Sequence, residues 1–86
     1  MRYMTQRKGE IPQNQLVLDY VRKYGSITPD EARVYCRKCT RLAPRVAEVN
    51  GRLLGWTEHH LINEKKSGYA RYRFETDEER DDRLNG

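Results

Sequence analysis

The stretch Gly25-Ser26-Ile27-Thr28-Pro29-Asp30-Glu31-Ala32 constrains the fold more than any other part of the chain. Glycine enters the left-handed conformation without a Cβ penalty, so Gly25 is placed to close a preceding helix. Thr28 reads as a helix N-cap, Pro29 suits the first helical position, where its missing N–H goes unused, and Glu31 completes a capping box. Ile27, just before the cap, is placed to staple onto the new helix near Ala32. Two helices therefore meet within a few residues, and their apolar faces share one core.

The first helix is expected to start near Pro12, with Leu16, Val17, Tyr20, Val21 and Tyr24 forming one stripe at helical spacing. The second runs through Ala32, Val34 and Tyr35 and ends near Cys36 to Lys38. Thr40 is expected to cap a third helix over 41–50, in which Leu42, Val46 and Val49 face the core. Pro44 falls at the edge of its first turn, Gly51 reads as its stop, and Leu53 and Leu54 pack just beyond. Residues 56–62 and 69–74 read as strands. In the second, Ala70, Tyr72 and Phe74 alternate with Tyr69, Arg71 and Arg73, the period of a half-buried strand. The polar stretch between them, ending in Gly68, reads as a hairpin loop. The expected fold is α+β: a three-helix helix-turn-helix core followed by a two-stranded β-hairpin wing, over residues 11–75. A flexible basic arm (1–10) precedes it, and a charged acidic tail (76–86), a frayed helix or disordered, follows.

Composition narrows the function classes. The chain has 86 residues, enough for one domain, and 35% of them are charged against 36% apolar. A deep substrate cavity would draw on apolar groups that a small core needs, so a binding surface suits the chain better than a pocket. The net charge is +4, unevenly spread. Residues 75–86 hold six acids against two arginines, whereas residues 1–74 carry 15 Lys/Arg against 7 Asp/Glu, a net of +8. A basic body suggests a polyanionic partner, most simply nucleic acid. No apolar run is long enough for a signal peptide or a membrane span, and two cysteines without a secretory signal point to a reducing cytoplasm.

The strings Gly-Ser-Ile-Thr-Pro-Asp-Glu-Ala (25–32), Thr-Arg-Leu-Ala-Pro-Arg-Val-Ala-Glu-Val (40–49) and Gly-Tyr-Ala-Arg-Tyr-Arg-Phe (68–74) together resemble a winged helix-turn-helix family common in bacteriophages and prophages. The resemblance covers roughly residues 13–75. It departs at Pro44, where an alanine is usual, at Val49 to Arg52, and in the loop from Arg37 to Thr40. It implies a small DNA-binding protein of a bacterial host cell, a transcriptional or recombination regulator, with double-stranded DNA as partner and no cofactor.

In a helix-turn-helix the second helix of the motif lies in the major groove. With Leu42, Val46 and Val49 buried, the exposed face of 41–50 is expected to carry Thr40, Arg41, Pro44, Arg45, Glu48 and Arg52. Arginine can bond guanine through two N–H groups and glutamate can accept from cytosine, so Arg45 is assigned to base readout and Arg41 and Arg52 to phosphates. Lys65 and Lys66 at the wing tip suit phosphate contact. Arg71 and Arg73, on the outer face of a strand, suit either phosphate contact or protection of a sheet edge. Arg2, Arg7 and Lys8 of the arm are placed to reach a neighbouring minor groove.

Other chemistries find less support. Cys36 and Cys39 form a C-x-x-C, but adjacent His59 and His60 on a strand would point to opposite faces and not share one ion, so no metal is expected. The βαβ setting of a thioredoxin-like motif is missing, which leaves Cys39 as a residue partly buried between helices. Neither histidine has an evident Ser, Cys or carboxylate partner, and no phosphate loop is present, so the chain is not expected to be an enzyme. The main alternative is a phage inhibitor that uses the scaffold to bind a host protein such as a nuclease or polymerase, through Tyr3, Trp56, Tyr69 and the acidic tail. Against that, Trp56 is expected to pack beneath the wing. An excisionase-like DNA-bending role is a third reading. A homodimer fits the motif class, although no dimer helix stands out.

Overall fold

A computed structural model describes residues 11–65 and 68–86. Helix α1 (Gln13–Tyr24) buries Val17, Leu18 and Val21 on one face, with Leu16 and Tyr20 half-buried beside them. Tyr24 ends the expected stripe in solvent. Pro12 is the N-cap itself, one position earlier than expected. Gly25 closes the helix in the left-handed region at φ 96°, its N–H donating to the Val21 carbonyl. α1 is the hub of the fold, lying against most of the elements that follow it.

After Gly25, Ser26–Ile27 forms a short strand, β1, and α2 (Pro29–Tyr35) begins. The capping box forms as expected: Glu31 N donates to Thr28 Oγ1 at 3.3 Å and Thr28 N to Glu31 Oε1 at 2.9 Å. Ile27 and Ala32 are fully buried. Residues 36–41 lead to α3 (Leu42–Glu48), which is capped by Arg41 without a side-chain bond. Thr40 does not cap it. The first helical residue is Leu42, so the N-cap position falls on Arg41 and Thr40 lies one residue outside it.

The expected stop at Gly51 is also corrected. Val49–Leu53 continues α3 as a π-helical turn, in which Leu54 N donates to the Val49 carbonyl at 3.0 Å. The inserted residue rotates Leu54 into the core and leaves Leu53 at the surface. Asn50 ties the turn to the sheet: its amide donates to the Leu61 carbonyl at 3.0 Å and its oxygen accepts from Leu61 N at 2.8 Å.

The sheet has three antiparallel strands in the order β1-β3-β2, one more than expected from the sequence. β2 (Leu61–Asn63) and β3 (Tyr72–Phe74) pair with Leu61 opposite Phe74 and Asn63 opposite Tyr72. β1 joins the other side of β3, with Ser26 opposite Arg73 and Ile27 opposite Tyr72. Both hairpin strands are shorter than the expected 56–62 and 69–74. Residues 55–58 form a turn instead, closed by Glu58 N on the Gly55 carbonyl at 3.0 Å and by the Glu58 carboxylate on Gly55 N.

The acidic tail is neither frayed nor disordered. Asp77–Asn85 is a fourth helix, α4, opened by a second capping box between Thr76 and Glu79. α4 buries no residue of its own, and arginines hold it to the rest of the fold. Arg83 donates to Glu75 Oε2 at 2.8 Å and Oε1 at 3.1 Å, and to the carbonyls of Trp56 and Glu58 at 2.9 and 2.8 Å. Arg73 of β3 donates to both Glu79 oxygens at 2.9 and 3.0 Å. Trp56 is not beneath the wing: it is 66% exposed, with the Arg83 guanidinium 5.0 Å from its ring centre. Among the described residues no helix is long and apolar enough to cross a membrane.

Candidate nucleic-acid interface

α3 divides cleanly into two faces. Leu42, Val46 and Val49 are buried, and α3 and the π-helical turn pack against α1. Ala43, Pro44 and Ala47 are exposed, flanked by exposed Arg41 before the helix and Arg52 after it. The side chains of this face are small, and an exposed cation flanks it at either end.

Arg45 and Glu48, expected on that exposed face, are half-buried and paired with each other. Arg45 Nη1 lies 2.6 Å from Glu48 Oε1, and the same oxygen accepts from Asn14 of α1 at 3.3 Å. The pair is therefore committed to the α1–α3 contact, and Arg45 Nε, buried, has no partner among the described residues. The spacing of three that forms this pair is visible in the sequence; its direction toward Asn14 is not.

The cations of the β2–β3 hairpin divide similarly. Arg71 is half-buried and donates to Ser26 Oγ at 3.2 Å. Arg73 is clamped between Glu64, at 2.8 Å, and Glu79. Its guanidinium, with the Thr76 backbone N–H, holds the Glu79 carboxyl down to about 2. Both arginines serve the sheet and α4. Lys65 is exposed at φ 56°, and its N–H donates to Asn63 Oδ1 at 2.9 Å. Thr40 is exposed beside Arg41. Lys66 and the arm residues Arg2, Tyr3, Arg7 and Lys8 lie outside the described residues.

The turn between α2 and α3 supplies cations that the sequence reading passed over. Cys36 and Cys39 are both buried, more deeply than expected for Cys39, and between them Arg37 and Lys38 are exposed. Both intervening residues have left-handed backbone, at φ 53° and 58°. That conformation costs an L-residue about 1–2 kcal/mol. Two features offset it. The cysteine side chains anchor the turn at either end, and the Gln13 amide donates to the Arg37 carbonyl at 2.9 Å and to that of Cys36 at 3.4 Å. Exposed Lys38 and Arg41 thus precede α3 in the chain, Arg41 as its N-cap residue. The signal in the sequence is the alternation of cysteines and cations in Cys-Arg-Lys-Cys-Thr-Arg.

Burial, with the neighbouring Cys39 second, pushes the Cys36 thiol up to about 11, so at neutral pH it is a protonated core side chain rather than a nucleophile or ligand. Among the described residues no group of three His, Cys, Asp or Glu is placed to hold a metal. His59 does have a carboxylate partner: its Nε2 lies 2.7 Å from Asp77 Oδ1, on the exposed first turn of α4. His60 is buried, and its Nε2 donates to the Gly55 carbonyl at 2.9 Å.

No family model matches the chain, and neither do curated proteins or solved structures.

Proposed function

We propose that the protein is a duplex-DNA-binding regulator of winged helix-turn-helix type, in line with the phage and prophage resemblance of its sequence. The element order α1-β1-α2-α3-β2-β3, with the sheet order β1-β3-β2, supports this reading by analogy of fold. The observation that carries it is the outer face of α3: small and uncharged along its length, with exposed Lys38 and Arg41 preceding it in the chain and Arg52 following it. In this reading α3 enters the major groove with the amino end leading, Lys38, Arg41 and Arg52 contact phosphates, and Lys65 reaches a phosphate from the hairpin. Arg45 orients α3 on α1 instead of reading a base. Lys38→Ala and Arg41→Ala are each expected to weaken binding of every duplex alike, by anisotropy of a labelled DNA. Unchanged affinity in both variants refutes the assignment.

A second reading, a module that binds and inhibits a host protein, draws on Tyr24, Val34 and Tyr35, which are exposed across α1 and α2. Tyr20 stacks on Tyr35 with ring centres 5.6 Å apart and meets Tyr24 at 4.6 Å. Such aromatic clusters commonly anchor protein interfaces. Loss of a co-purifying host protein on Tyr35→Ala, with DNA binding absent in the parent chain, is the result that favours this reading.

A further inference from the structure

Trp56 is the one tryptophan of the chain, and its indole lies mostly in solvent. It borders a groove of about 490 Å³ lined by Ala47, Asn50, Gly51, Leu54, Trp56 and His60, running along the carboxyl end of α3 and its π-helical turn. The walls differ in character. Ala47 and Gly51 leave room where larger side chains would fill the groove. The Arg83 guanidinium lies over the indole 5.0 Å from its centre, and the His60 ring meets Trp56 edge-on with centres 6.3 Å apart. Arg83 is itself fixed by Glu75 and two backbone carbonyls. The indole is thus backed by a fixed guanidinium, while most of the residue remains exposed.

We propose that this groove stacks an unpaired nucleobase of a nucleic-acid strand against Trp56. Three observations select that occupant. The ring is rigidly backed, and stacking on an aromatic face needs no hydrogen-bond code. Asn50 is bonded to both backbone groups of Leu61 and His60 Nε2 to the Gly55 carbonyl, so these two polar side chains of the lining are committed to the fold and the groove offers mainly surface. Among the described residues no carboxylate lines it; Glu58, on the same loop, turns its carboxylate back onto Gly55 N, and exposed Arg52 adjoins Gly51. The charge thus suits a strand whose phosphate passes Arg52 while its base enters the groove. The inference rests on the nucleic-acid reading above and extends it from duplex to exposed bases, as at a strand end, a gap or a flipped nucleotide.

Because Trp56 is the sole tryptophan, its fluorescence reports the groove directly. The test titrates the full chain with a single-stranded thymidine oligonucleotide and, separately, with a blunt hairpin duplex, reading both emission and anisotropy of a label on the DNA. The expected result is quenching by the single strand. Trp56→Ala should weaken single-strand affinity by about 5- to 150-fold, the range for loss of one base–aromatic stack. Trp56→Phe should retain most of that affinity, and Trp56→Ala should leave hairpin affinity unchanged. Unfolding curves of the variants keep a folding defect separate from a binding one. Oligonucleotide binding with unaltered Trp56 emission, or equal affinity in Trp56→Ala, overturns the proposal while leaving duplex recognition standing. Absence of binding to either DNA overturns the nucleic-acid reading itself, and this proposal with it. Emission that shifts with protein concentration alone puts a second copy in the groove and also overturns it.

Discussion

Arg83→Met is the substitution whose effect follows most directly from the structure. The Arg83 side chain is 21% exposed and its partner carboxylate on Glu75 only 4%. Removing the guanidinium deletes two bonds to Glu75 and two to the carbonyls of Trp56 and Glu58. Glu75 would keep one bond, from His60 N at 3.0 Å. Breaking a fully buried ion pair typically costs about 3–5 kcal/mol, because the surviving charge is stranded. Two features lower that figure here. Arg83 is not fully buried, and α4 buries nothing of its own, so it can lift away and return Glu75 to water. The expected loss is therefore about 2–3 kcal/mol, which for a domain of this size lowers the melting temperature by roughly 10–20 °C. Thermal unfolding followed by circular dichroism measures it. The double variant Arg83→Met with Glu75→Gln should recover part of the loss, since the stranded charge is gone. A loss below about 0.5 kcal/mol, as for an ordinary surface pair, refutes the view that Arg83 fastens α4 to the fold.

Three further outcomes follow. Glu79 is held down to about 2 by Arg73, and Glu75 is lowered by Arg83, so their contribution to stability is complete above the ordinary carboxylate range and is lost as pH falls toward 2; a denaturation midpoint that stays constant from pH 5 to about pH 2 contradicts this. Ile27→Ala removes a fully buried side chain from the junction of β1, α1 and α2 and should cost about 2–5 kcal/mol by urea unfolding, whereas a loss under 1 kcal/mol would mean that this junction is not part of the core. Cys36 is buried with its thiol near 11, so iodoacetamide should modify it at neutral pH only at the rate of unfolding; labelling as fast as that of a free thiol, read by mass spectrometry, refutes its burial.

What was legible in the sequence was local. Gly25 as a left-handed cap, the Thr28–Glu31 box and the stripe of Leu16, Val17, Tyr20 and Val21 depend on neighbours within about one helical turn, and all appear in the fold, although buried Leu18 falls outside the expected stripe and Tyr24 at its end is exposed. The same reasoning would have found α4, because Thr76-Asp77-Glu78-Glu79 repeats the capping-box pattern; the dense charge of the tail hid it. Strand β1 was beyond reach for a different reason. Two residues carry no period, and Ser26–Ile27 is extended only because β3, more than forty residues later, supplies its partners. The π-helical turn likewise depends on a distant contact, Asn50 with Leu61, so Gly51 looked like a stop when its neighbours still had bonds to make. The cations of the candidate interface were misjudged for the same cause. Arg45, Arg71 and Arg73 have the composition of a DNA surface, but Glu48, Ser26, Glu64 and Glu79 claim them, and only folding brings most of those partners near. Lys38 was overlooked because its exposure depends on two buried cysteines holding a left-handed turn.

The salt dependence of duplex affinity tests the central claim most directly. With Lys38, Arg41, Arg52 and Lys65 as phosphate contacts, log affinity against log salt should fall with a slope of about −3 to −4 for the parent chain, and less steeply by about one for Lys38→Ala. A slope near zero, or one that Lys38→Ala leaves unchanged, would contradict binding of DNA through the amino end of α3.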